Sequence, residues 1–447
     1  MKVLSFSEMP RPIGIVGLGV TGAAVSDLLL AAGIPADAVN TFDSQSARAQ
    51  FSDPGLFMAT AKPQTLIVSP GVPLNTDWIQ SFRKSGGYLT TELELATLTL
   101  TTEKIIAVTG SIGKSTVTSA LGAAVAAWDP ACFVGGNLGV PLAKYAAQRL
   151  RKPEQQKAQV LVLELSSYQL ERYRNLAAEV GVFTFLTPNH MERYPSLHKY
   201  YQTKWALASQ SKALVLNKRG GDLEDFVSRQ PLLPPMMGQT RIWTDRDCIL
   251  SHQHDLAKAR LLGEYNQDNL ALAAEVIRHL NWPHSAWEGL RLFSGLPHRL
   301  QNLPARGGIS FINDSKATTM ESVLSAVETV LEKPKWLKIY LLLGGHDKNL
   351  PWEQLQVLGQ YSTLEFVFFG EFGKPAQKRT RLSGDCYPTL ATALRALPHK
   401  VRPGDLVLLS PGGTSHDEFQ NFEQRGQFFI DQIAALFKNN ESNEGVS

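Results

Sequence analysis

The stretch AVTGSIGKSTVTSA, residues 107–120, decides how the central part of this chain is interpreted. It ends like a phosphate-binding loop, with Gly113, Lys114 and Ser115, but the usual pattern G-x-x-x-x-G-K-[ST] needs its first glycine two residues before Gly110. A β-rich apolar run precedes the loop and helix-forming residues follow it, which is the context in which backbone N–H groups cradle a phosphate. The stretch therefore predicts a nucleotide-binding loop of unusual length between a strand and a helix.

Apolar runs that end in Gly, Ser, Pro or a polar residue recur along the chain and alternate with helical patterns. These runs occupy 13–19, 65–71, 104–110, 160–166, 180–186, 212–217, 336–345, 364–370 and 405–413. Continuous apolar runs suit parallel strands that are buried on both faces, and their alternation with helices indicates an α/β fold. Ligands in such sheets collect at the carboxyl ends of the strands, where the polar residues of these runs lie.

The same strand-and-loop unit begins three times, at IGIVGLGVTG near the N-terminus, at KIIAVTGSIGKST near 104 and at ISFINDSKATT after 301. A chain of 447 residues is also too long for one hydrophobic core. We predict three α/β domains: a Rossmann-like domain over 1–95, a central P-loop ATPase-like domain with a mostly parallel sheet over 96–297, and a C-terminal Rossmann-like domain over 298–447.

The composition is that of an ordinary globular protein, with 43% hydrophobic and 19% charged residues. The formal net charge is only +3 and no long Lys/Arg block occurs, so we expect no nucleic acid and no membrane as a partner. Cys132, Cys248 and Cys386 are scattered, which favours a reducing compartment over a disulfide framework or a zinc cluster. The N-terminus lacks the apolar core of a secretory signal and no apolar stretch of about 18 residues occurs, so a cytoplasmic location is expected.

The segment GLGVTG, residues 17–22, matches G-x-G-x-x-G directly after a strand-like run. Its glycines permit a tight turn and the close approach of a diphosphate to a helix N-terminus. Asp43, at the end of the next strand-like stretch, could meet a ribose or a base. Binding of a dinucleotide, binding of another nucleotide diphosphate, and a plain strand-to-helix turn without a ligand all stay open at this point.

Polar residues also follow the central apolar runs. Glu164, near the end of the run at 160–166, could bind Mg²⁺ or orient its water ligands, as the acid on a neighbouring strand does in other nucleotide-hydrolysing enzymes. His190 is a candidate metal ligand or substrate contact, although a histidine in a loop is usually neither. Lys204 lies in a helix-like segment, and its local sequence indicates only a solvated charge.

Three polar loops follow strand-like runs in the C-terminal third of the chain, at 313–319, 341–349 and 410–426. Three such loops in one domain predict a second substrate or nucleotide site there, because strand ends are where ligands collect. The ionic and polar candidates in these loops are Asp314, Lys316, Lys348, Ser415 and Arg425.

These motifs, taken in order, resemble those of the Mur ligase family, whose short phosphate loop has the form T-G-x-x-G-K-[ST]-T. Thr109 to Thr116 fit that form, so the unusual spacing is typical of the family. The other matching motifs span nearly the whole chain and are GLGVTG, FVGGNLGVPL, LELSSYQLE, HMERY, GEYNQDNLALAAE, GLPHRLQ, INDSKAT, LLLGG and FQNFEQRG. Four of them, LELSSYQLE, LPHR, NDSKAT and NFEQRG, point to the member of the family that adds D-glutamate.

The resemblance implies a reaction and a division of roles among three domains. UDP-N-acetylmuramoyl-L-alanine, D-glutamate and ATP would give the extended nucleotide, ADP and phosphate through an acyl-phosphate intermediate, in cytoplasmic peptidoglycan precursor synthesis. The first domain would bind the uridine diphosphate group, the second ATP with Mg²⁺ (or Mn²⁺), and the third D-glutamate. The protein is expected to be a monomer.

The resemblance also implies roles for individual residues. The catalytic residues would be Lys114, Lys204, His190 and Glu164, and the metal ligands would be Ser115, Glu164, His190 and Lys204, the last as a carbamate, which is an anion. ATP would contact Gly110, Ser111, Gly113, Lys114, Ser115, Thr116, Asn266, Arg299 and Asp314. The other two substrates would contact Val20, Thr21, Asp43, Ser44, Asn137, Lys348, Ser415 and Phe422.

The chain departs from the family pattern at Ile112, where the family usually has Asn, and at Asn189 and Glu192, where close relatives usually carry Asp. These changes leave the predicted catalytic lysines and Glu164 in place, so activity is expected.

Two alternatives stay open. One is another ligase of this family or a folylpolyglutamate synthetase, which the GLGVTG block and the NFEQRG loop oppose. The other, from a different class, is a nucleotide-binding regulator or an NAD-dependent dehydrogenase. Lys114, Ser115 and Glu164 oppose a dehydrogenase, because hydride transfer needs no phosphoryl-transfer residues.

Overall fold

The computed structural model of the protein describes residues 4–155, 157–173, 175–189, 191, 193–230, 238–250, 264–331, 336–348 and 350–437, without the side chains of 249, 250, 264, 265 and 321. Its strands form three sheets, and the chain divides into two compact units. The first unit, Met1–Lys258 and Asp268–Leu292, contains two sheets; the second, Ala259–Gln267 and Phe293–Ser447, contains the third. No helix within the described ranges has both the length and the apolar composition that a bilayer crossing requires.

The first sheet has four parallel strands, which are β1 (Ile13–Val16), β2 (Val39–Phe42), β3 (Thr65–Val68) and β4 (Tyr88–Thr90). Their order across the sheet is β2-β1-β3-β4, which is a doubly wound α/β order with its switch point between β1 and β3. The helices of this region are α1 (Val20–Ala31), α2 (Pro54–Ala61), α3 (Asp77–Lys84) and α4 (Glu92–Thr97), with a 3₁₀ turn at Ala36–Ala38.

The second sheet has six parallel strands, which are β5 (Lys104–Thr109), β6 (Phe133–Gly136), β7 (Val160–Glu164), β8 (Ala178–Phe183), β9 (Ser211–Asn217) and β10 (Thr240–Thr244). Their order is β10-β9-β8-β5-β7-β6. The helices are α5 (Lys114–Ala126), α6 (Leu142–Arg151), α7 (Ser167–Leu170), α8 (Leu197–Trp205), α9 (Leu223–Ser228), α10 (Arg246–Leu250), α11 (Glu264–His279) and α12 (His284–Leu292), with a 3₁₀ turn at Ala208–Gln210.

The third sheet lies in the second unit, and its strands are β11 (Gln301–Arg306), β12 (Ile309–Asn313), β13 (Ile339–Gly344), β14 (Leu364–Phe369), β15 (Gly384–Tyr387) and β16 (Leu406–Gly412). Their order is β11-β12-β16-β13-β14-β15, and only the β11–β12 pair is antiparallel. The helices are α13 (Met320–Leu331), α14 (Gly373–Thr380), α15 (Leu390–Ala396) and α16 (Phe422–Leu436), with 3₁₀ turns at Trp352–Gln360 and Leu397–His399.

The predicted α/β fold with mostly parallel sheets is confirmed, and each of the nine apolar runs overlaps a strand. Strands outside those runs are mainly edge strands, such as β10, β11 and β15. An edge strand has one neighbour instead of two, so its side chains stay partly exposed and its sequence needs no continuous apolar run. This is why edge strands are less visible in the sequence than central ones.

One apolar core holds the first sheet against the second. Leu28 and Leu29 of α1 are fully buried, as are Leu142 and Ala146 of α6, and all four belong to one cluster that also includes Leu95 of α4. Burying a leucine side chain stabilises a fold by roughly 1.5–3 kcal/mol, so this core fixes the two sheets relative to each other. Loops at the carboxyl ends of both sheets are therefore held in a defined arrangement.

Glu92, the first residue of α4, is buried in this core and accepts a hydrogen bond from a backbone amide in the first turn of α6. Its Oε1 accepts from the amide of Ala143 at 2.6 Å. Burial raises the pKa of Glu92 from 4.5 to about 7, although the amides of Ala143 and Leu142 oppose the shift. Since the folded pKa lies above the unfolded one, the stability from this group is fully present below pH 4.5 and is lost as pH rises through about 7.

We therefore expect Glu92→Gln to make the protein less sensitive to alkaline pH. The glutamine carbonyl still accepts from Ala143 but cannot ionise, so the variant should gain on the order of 3 kcal/mol over the native chain at pH 8.5, and far less at pH 5.5. Thermal melts of both proteins across this range measure the difference. Glu224→Gln, at an exposed glutamate, is the control. Identical pH profiles for Glu92→Gln and the native chain would contradict the expectation.

Candidate active site

The phosphate loop connects β5 to α5 and is bound to the chain that follows β8. The amide of Ser111 donates to the carbonyl of Phe185 at 2.6 Å, and the Ser111 hydroxyl donates to the carbonyl of Thr187 at 2.8 Å. A Cβ at Gly110, where φ is +153°, would lie 2.0 Å from the hydroxyl oxygen of Thr184, so a side chain there is excluded. The loop therefore has a shape fixed by the chain itself.

Lys114 is the first residue of α5 and is partly buried. Its ammonium donates to the carbonyls of Gly110 and Ser111, each at 2.9 Å, so the side chain folds back over the loop. Ser115 and Thr116 follow in the first turn of the helix, where backbone N–H groups and the helix dipole favour an anion. A phosphate bound there would offer the ammonium charged oxygens in place of neutral carbonyls.

Glu164 ends β7, and the β5–β7 register places its backbone beside Val108. The residue is 2% exposed, and its Oε1 accepts from the side-chain amide of Asn137 at 2.7 Å. Its Oε2 has no hydrogen-bond partner among the residues that the structure describes. A buried carboxylate oxygen without a donor is unfavourable unless a cation or ligand supplies the missing interaction.

Lys204, on α8, is 2% exposed and is not the solvated charge that its local sequence indicates. Its Nζ donates to the carbonyl of Gly110 at 2.8 Å and lies 4.8 Å from the centre of the Tyr200 ring. Burial lowers the pKa of the Lys204 ammonium well below its usual value; the charge of Lys114 lowers it further, and that of Glu164 opposes the shift. The environment therefore favours the neutral amine.

One carbonyl oxygen joins the two lysines, because Lys114 and Lys204 both donate to Gly110. Tyr200 also belongs to this cluster, since its hydroxyl donates to the hydroxyl of Ser111 at 3.2 Å. It is absent from the predicted site residues. The signal that could identify it is its position four residues before Lys204, because i, i+4 spacing places two side chains on one face of a helix.

The donor atoms of this cluster suit a hard cation. Mg²⁺ prefers carboxylate, hydroxyl and water oxygens, which the Glu164 carboxylate and the Ser115 hydroxyl fit. Within the described ranges, no group of three or more His, Cys, Asp or Glu side chains is placed to hold a metal. His190, a predicted metal ligand, and Glu192 lie outside those ranges. The unpartnered Oε2 of Glu164 is the observation that fits a cation here.

The glycine turn at 17–22 connects β1 to α1 at the carboxyl end of the first sheet. A Cβ at Gly22 would lie 2.0 Å from the carbonyl oxygen of Gly17, so the turn packs tightly against its own helix. Val20 and Thr21 open the helix, and Val20 is 69% exposed. Val20 is therefore accessible to a ligand that binds at this helix N-terminus.

Asp43 follows β2 and fixes the entrance to this turn. Its carboxylate accepts from the amide of Gln45 at 2.8 Å and from the amide of Leu18 at 2.7 Å. These bonds hold the pKa of the Asp43 carboxyl below its usual value, so it is ionised at neutral pH. Ser44, next in the chain, is exposed.

In the second unit, Asp314 follows β12 and is almost completely buried. Its carboxylate accepts from the Ser410 hydroxyl at 2.8 Å and from the Leu300 amide at 3.1 Å. Burial raises the pKa of Asp314 to about 7, although these donors and the charge of Arg299 oppose the shift. Arg299 is partly exposed in the segment before β11, and Asn266 lies in the first turn of α11.

The loops after β13 and β16 meet at a pair of backbone hydrogen bonds. The His346 amide donates to the Thr414 carbonyl at 2.8 Å, and the Thr414 amide donates back at 2.9 Å. The bridge brings the loop that carries Lys348, which is exposed, beside the loop that carries Ser415, which is 2% exposed. Phe422 begins α16 a few residues later.

Arg425 is completely buried and ties these loops to the one after β12. Its guanidinium donates to the Ser315 carbonyl at 2.8 Å, the Ser315 hydroxyl at 3.1 Å and the Gly413 carbonyl at 3.1 Å. Lys316, which follows Ser315 in the chain, has its Nζ 5.2 Å from the centre of the Phe422 ring. The second unit thus gathers all three predicted polar loops at one end of its sheet.

Comparisons with known proteins relate this geometry to other chains. Residues 108–231 match the family model described as Mur ligase middle domain. The chain is 31% identical to a UDP-N-acetylmuramoylalanine–D-glutamate ligase of Pectobacterium atrosepticum, with 94% of this chain and 97% of that one covered, and 32% identical to the ligase of that name from Myxococcus xanthus, with 86% of each covered. The solved MurF ligase from Thermotoga maritima in complex with ADP has a similar fold, with a TM-score of 0.53 at 15% identity, covering 89% of this chain and 94% of that one.

Proposed function

The chain belongs to the Mur ligase family, and we propose that it is a UDP-N-acetylmuramoylalanine–D-glutamate ligase. It joins D-glutamate to UDP-N-acetylmuramoyl-L-alanine and converts ATP to ADP and phosphate, in the synthesis of peptidoglycan precursors. The observation that carries this proposal is the similarity of nearly the whole chain to ligases of that name. The cluster of Lys114, Glu164 and Lys204 around the phosphate loop supports it, because that cluster offers the charges that phosphoryl transfer requires.

The reaction needs ATP because a carboxylate is a poor electrophile. Transfer of the γ-phosphoryl group to the L-alanyl carboxylate makes an acyl phosphate; the amine of D-glutamate attacks its carbonyl carbon, and the tetrahedral intermediate expels phosphate. Phosphoryl transfer is mostly positioning and charge neutralisation. The amides at the start of α5 would hold the phosphates, and the Lys114 ammonium would leave its two carbonyl partners to neutralise them.

We propose Mg²⁺ (or Mn²⁺) as the metal, held by Glu164 and Ser115, together with His190 and a modified Lys204. Such an ion neutralises phosphate charge when it is bound. The buried Oε2 of Glu164, which has no hydrogen-bond partner in the described part of the chain, supports this assignment. Asn137 would keep the carboxylate oriented through its bond to Oε1, in addition to the substrate contact proposed for it.

We also propose that Lys204 carries a carbamate. The neutral amine attacks CO₂, an N–C bond forms and one proton is released, which leaves an anionic group with two oxygen atoms. The burial of Lys204 and its lowered pKa support the step, because only an unprotonated amine has the electron pair that attacks. The carbamate would then supply the oxygen ligand that an amine cannot give to Mg²⁺.

The remaining assignments are parts of the same proposal. Domains over 1–95, 96–297 and 298–447 would bind the uridine diphosphate group, ATP, and D-glutamate, respectively. The uridine end would contact Val20, Thr21, Asp43 and Ser44; ATP would contact the phosphate loop from Gly110 to Thr116 with Asn266, Arg299 and Asp314; D-glutamate would contact Lys348, Ser415 and Phe422. The protein would act as a monomer in the cytoplasm, where scattered cysteines stay reduced.

Phosphate release from ATP in the presence of UDP-N-acetylmuramoyl-L-alanine tests the function directly. D-Glutamate, L-glutamate, L-lysine and no amino acid are compared at equal concentrations. We expect release with D-glutamate alone, because ATP turnover in a ligase depends on both the acid and the amine. Release with another amino acid would move the chain to a different ligase of the family, and release in no combination would refute the proposal and favour a nucleotide-binding regulator.

A further inference from the structure

Arg172 lies two residues after α7, in the part of the chain that surrounds the second sheet. It connects this part to the carboxyl end of the first sheet. Its guanidinium donates to the carbonyls of Val68 and Ser69, each at 3.2 Å, and also to the carbonyl of Val72. These carbonyls belong to the end of β3 and to the turn that follows it. A guanidinium presents five N–H donors in a planar fork, so one arginine can bind several acceptors at fixed angles, which the compact ammonium of a lysine cannot.

The turn that Arg172 binds, residues 69–72, forms one wall of the glycine turn. The amide of Ser69 donates to the Val16 carbonyl at 2.9 Å, and the Ser69 hydroxyl donates to the Gly17 carbonyl at 2.8 Å. A Cβ at Gly17 would lie 2.9 Å from the Cβ of Ser69, so the two segments are in close contact. A shift of the 69–72 turn therefore moves the glycine turn as well.

A short segment of the chain, from the end of β7 through α7, connects Arg172 to the phosphate-loop cluster. Glu164 ends β7, and Ser166 and Gln169 form a capping box at the start of α7. The Arg172 amide then donates to the Gln169 carbonyl at 3.2 Å. One strand end and one helical turn thus place the Arg172 side chain relative to the Glu164 carboxylate.

Among the described residues, the Arg172 guanidinium donates to carbonyl oxygens. The adjacent Glu171 pairs with Arg193 at 2.8 Å, and the Arg193 guanidinium lies 4.0 Å from the centre of the Tyr168 ring. Neutral carbonyl acceptors attract a largely buried guanidinium less strongly than a carboxylate does, so they offset less of the free energy that its desolvation costs. It does fix the geometry of the 69–72 turn, since several bonds to one planar group leave the turn little freedom.

We propose that Arg172 is a positioning residue for the UDP-linked substrate, and that it sets the 69–72 turn and the glycine turn in register with the phosphate loop. This inference rests on the proposed function, in which the glycine turn binds uridine diphosphate. Loss of the guanidinium loosens the turn and weakens binding of that one substrate. ATP and D-glutamate contact other parts of the chain and are affected far less.

Steady-state kinetics of Arg172→Lys and Arg172→Gln test the proposal. The KM for UDP-N-acetylmuramoyl-L-alanine should rise about tenfold, which is the loss of one or two hydrogen bonds, while the KM values for ATP and D-glutamate change by less than about twofold. Lysine should recover only part of the loss, because it lacks the fork. Arg151→Lys and Arg151→Gln are matched controls, since Arg151 also links the two sheets, through Asp27 at 2.6 Å, but on an exposed surface.

Unchanged KM values in both Arg172 variants would overturn the proposal, and so would an equal rise in all three KM values that the Arg151 controls reproduce. Calorimetric titration with UDP alone separates this inference from the proposed function, because it needs no turnover. If UDP binds equally to the native chain and to Arg172→Lys, the positioning role is wrong even when ligase activity is present. Weaker UDP binding by Arg172→Lys supports the positioning role even when none of the tested amino acids supports phosphate release by the native chain.

Discussion

Lys114→Ala is expected to lower the rate of phosphate release by about a thousandfold or more, while the protein stays folded. The ammonium of Lys114, the first residue of α5, donates to two carbonyls of the phosphate loop, and a bound phosphate can replace these acceptors. Removing it therefore removes charge neutralisation in the transition state and leaves the apolar core untouched. Initial-rate assays at saturating substrates measure the loss.

The fold of Lys114→Ala is checked by its melting temperature, which should fall by only a few degrees, because two exchangeable hydrogen bonds are worth about 1–3 kcal/mol. Lys144→Ala, at an exposed lysine of α6, serves as the control for removal of a positive charge. Unchanged turnover in Lys114→Ala would show that the stretch 107–120 is not the phosphate-binding loop of this enzyme.

Lys204→Ala is expected to lose activity by at least about a hundredfold, and added bicarbonate should not restore it. The amine is buried and its pKa is lowered well below its usual value, which increases the share of neutral amine that can react with CO₂. In the native protein, removal of CO₂ should lower the rate and bicarbonate should restore it. Rates measured with and without bicarbonate in degassed buffer compare the two proteins.

Lys204→Arg separates a carbamate from a simple positive charge. Arginine keeps the cation but cannot form the carbamate, so the variant should be as inactive as Lys204→Ala. Lys199→Ala, at an exposed position on the same helix, controls for effects on α8 and should keep native activity. Full activity in Lys204→Arg would show that no carbamate forms here, and so would a rate of the native enzyme that does not change when CO₂ is removed.

The departure from the family pattern at Ile112 leaves the described cluster intact. Ile112 is 45% exposed on the phosphate loop, so it adds no buried apolar group there. The bonds of Lys114 and Lys204 to Gly110, and the bond of Asn137 to Glu164, are made without the side chain of residue 112. The structure gives no reason for isoleucine at this position.

The sequence by itself determined the α/β class, the central strands and the two glycine-rich turns. Buried parallel strands need continuous apolar runs, and turns such as those at Gly17 and Gly110 need glycine, so both leave local signals that a single chain displays. The family pattern, spread in order over almost the whole chain, also determined which residues to consider as the site. Edge strands were less visible because their side chains are partly exposed.

Only the tertiary structure decided how those residues act on one another. Lys204 has a sequence context that indicates a solvated charge, yet the fold of the first unit buries it against the carbonyl of Gly110 and lowers its pKa. The bond of Asn137 to Glu164 and the carbonyl contacts of Arg172 likewise depend on segments far away in the chain. Burial and electrostatic environment are set by neighbours in space, so no local pattern can encode them.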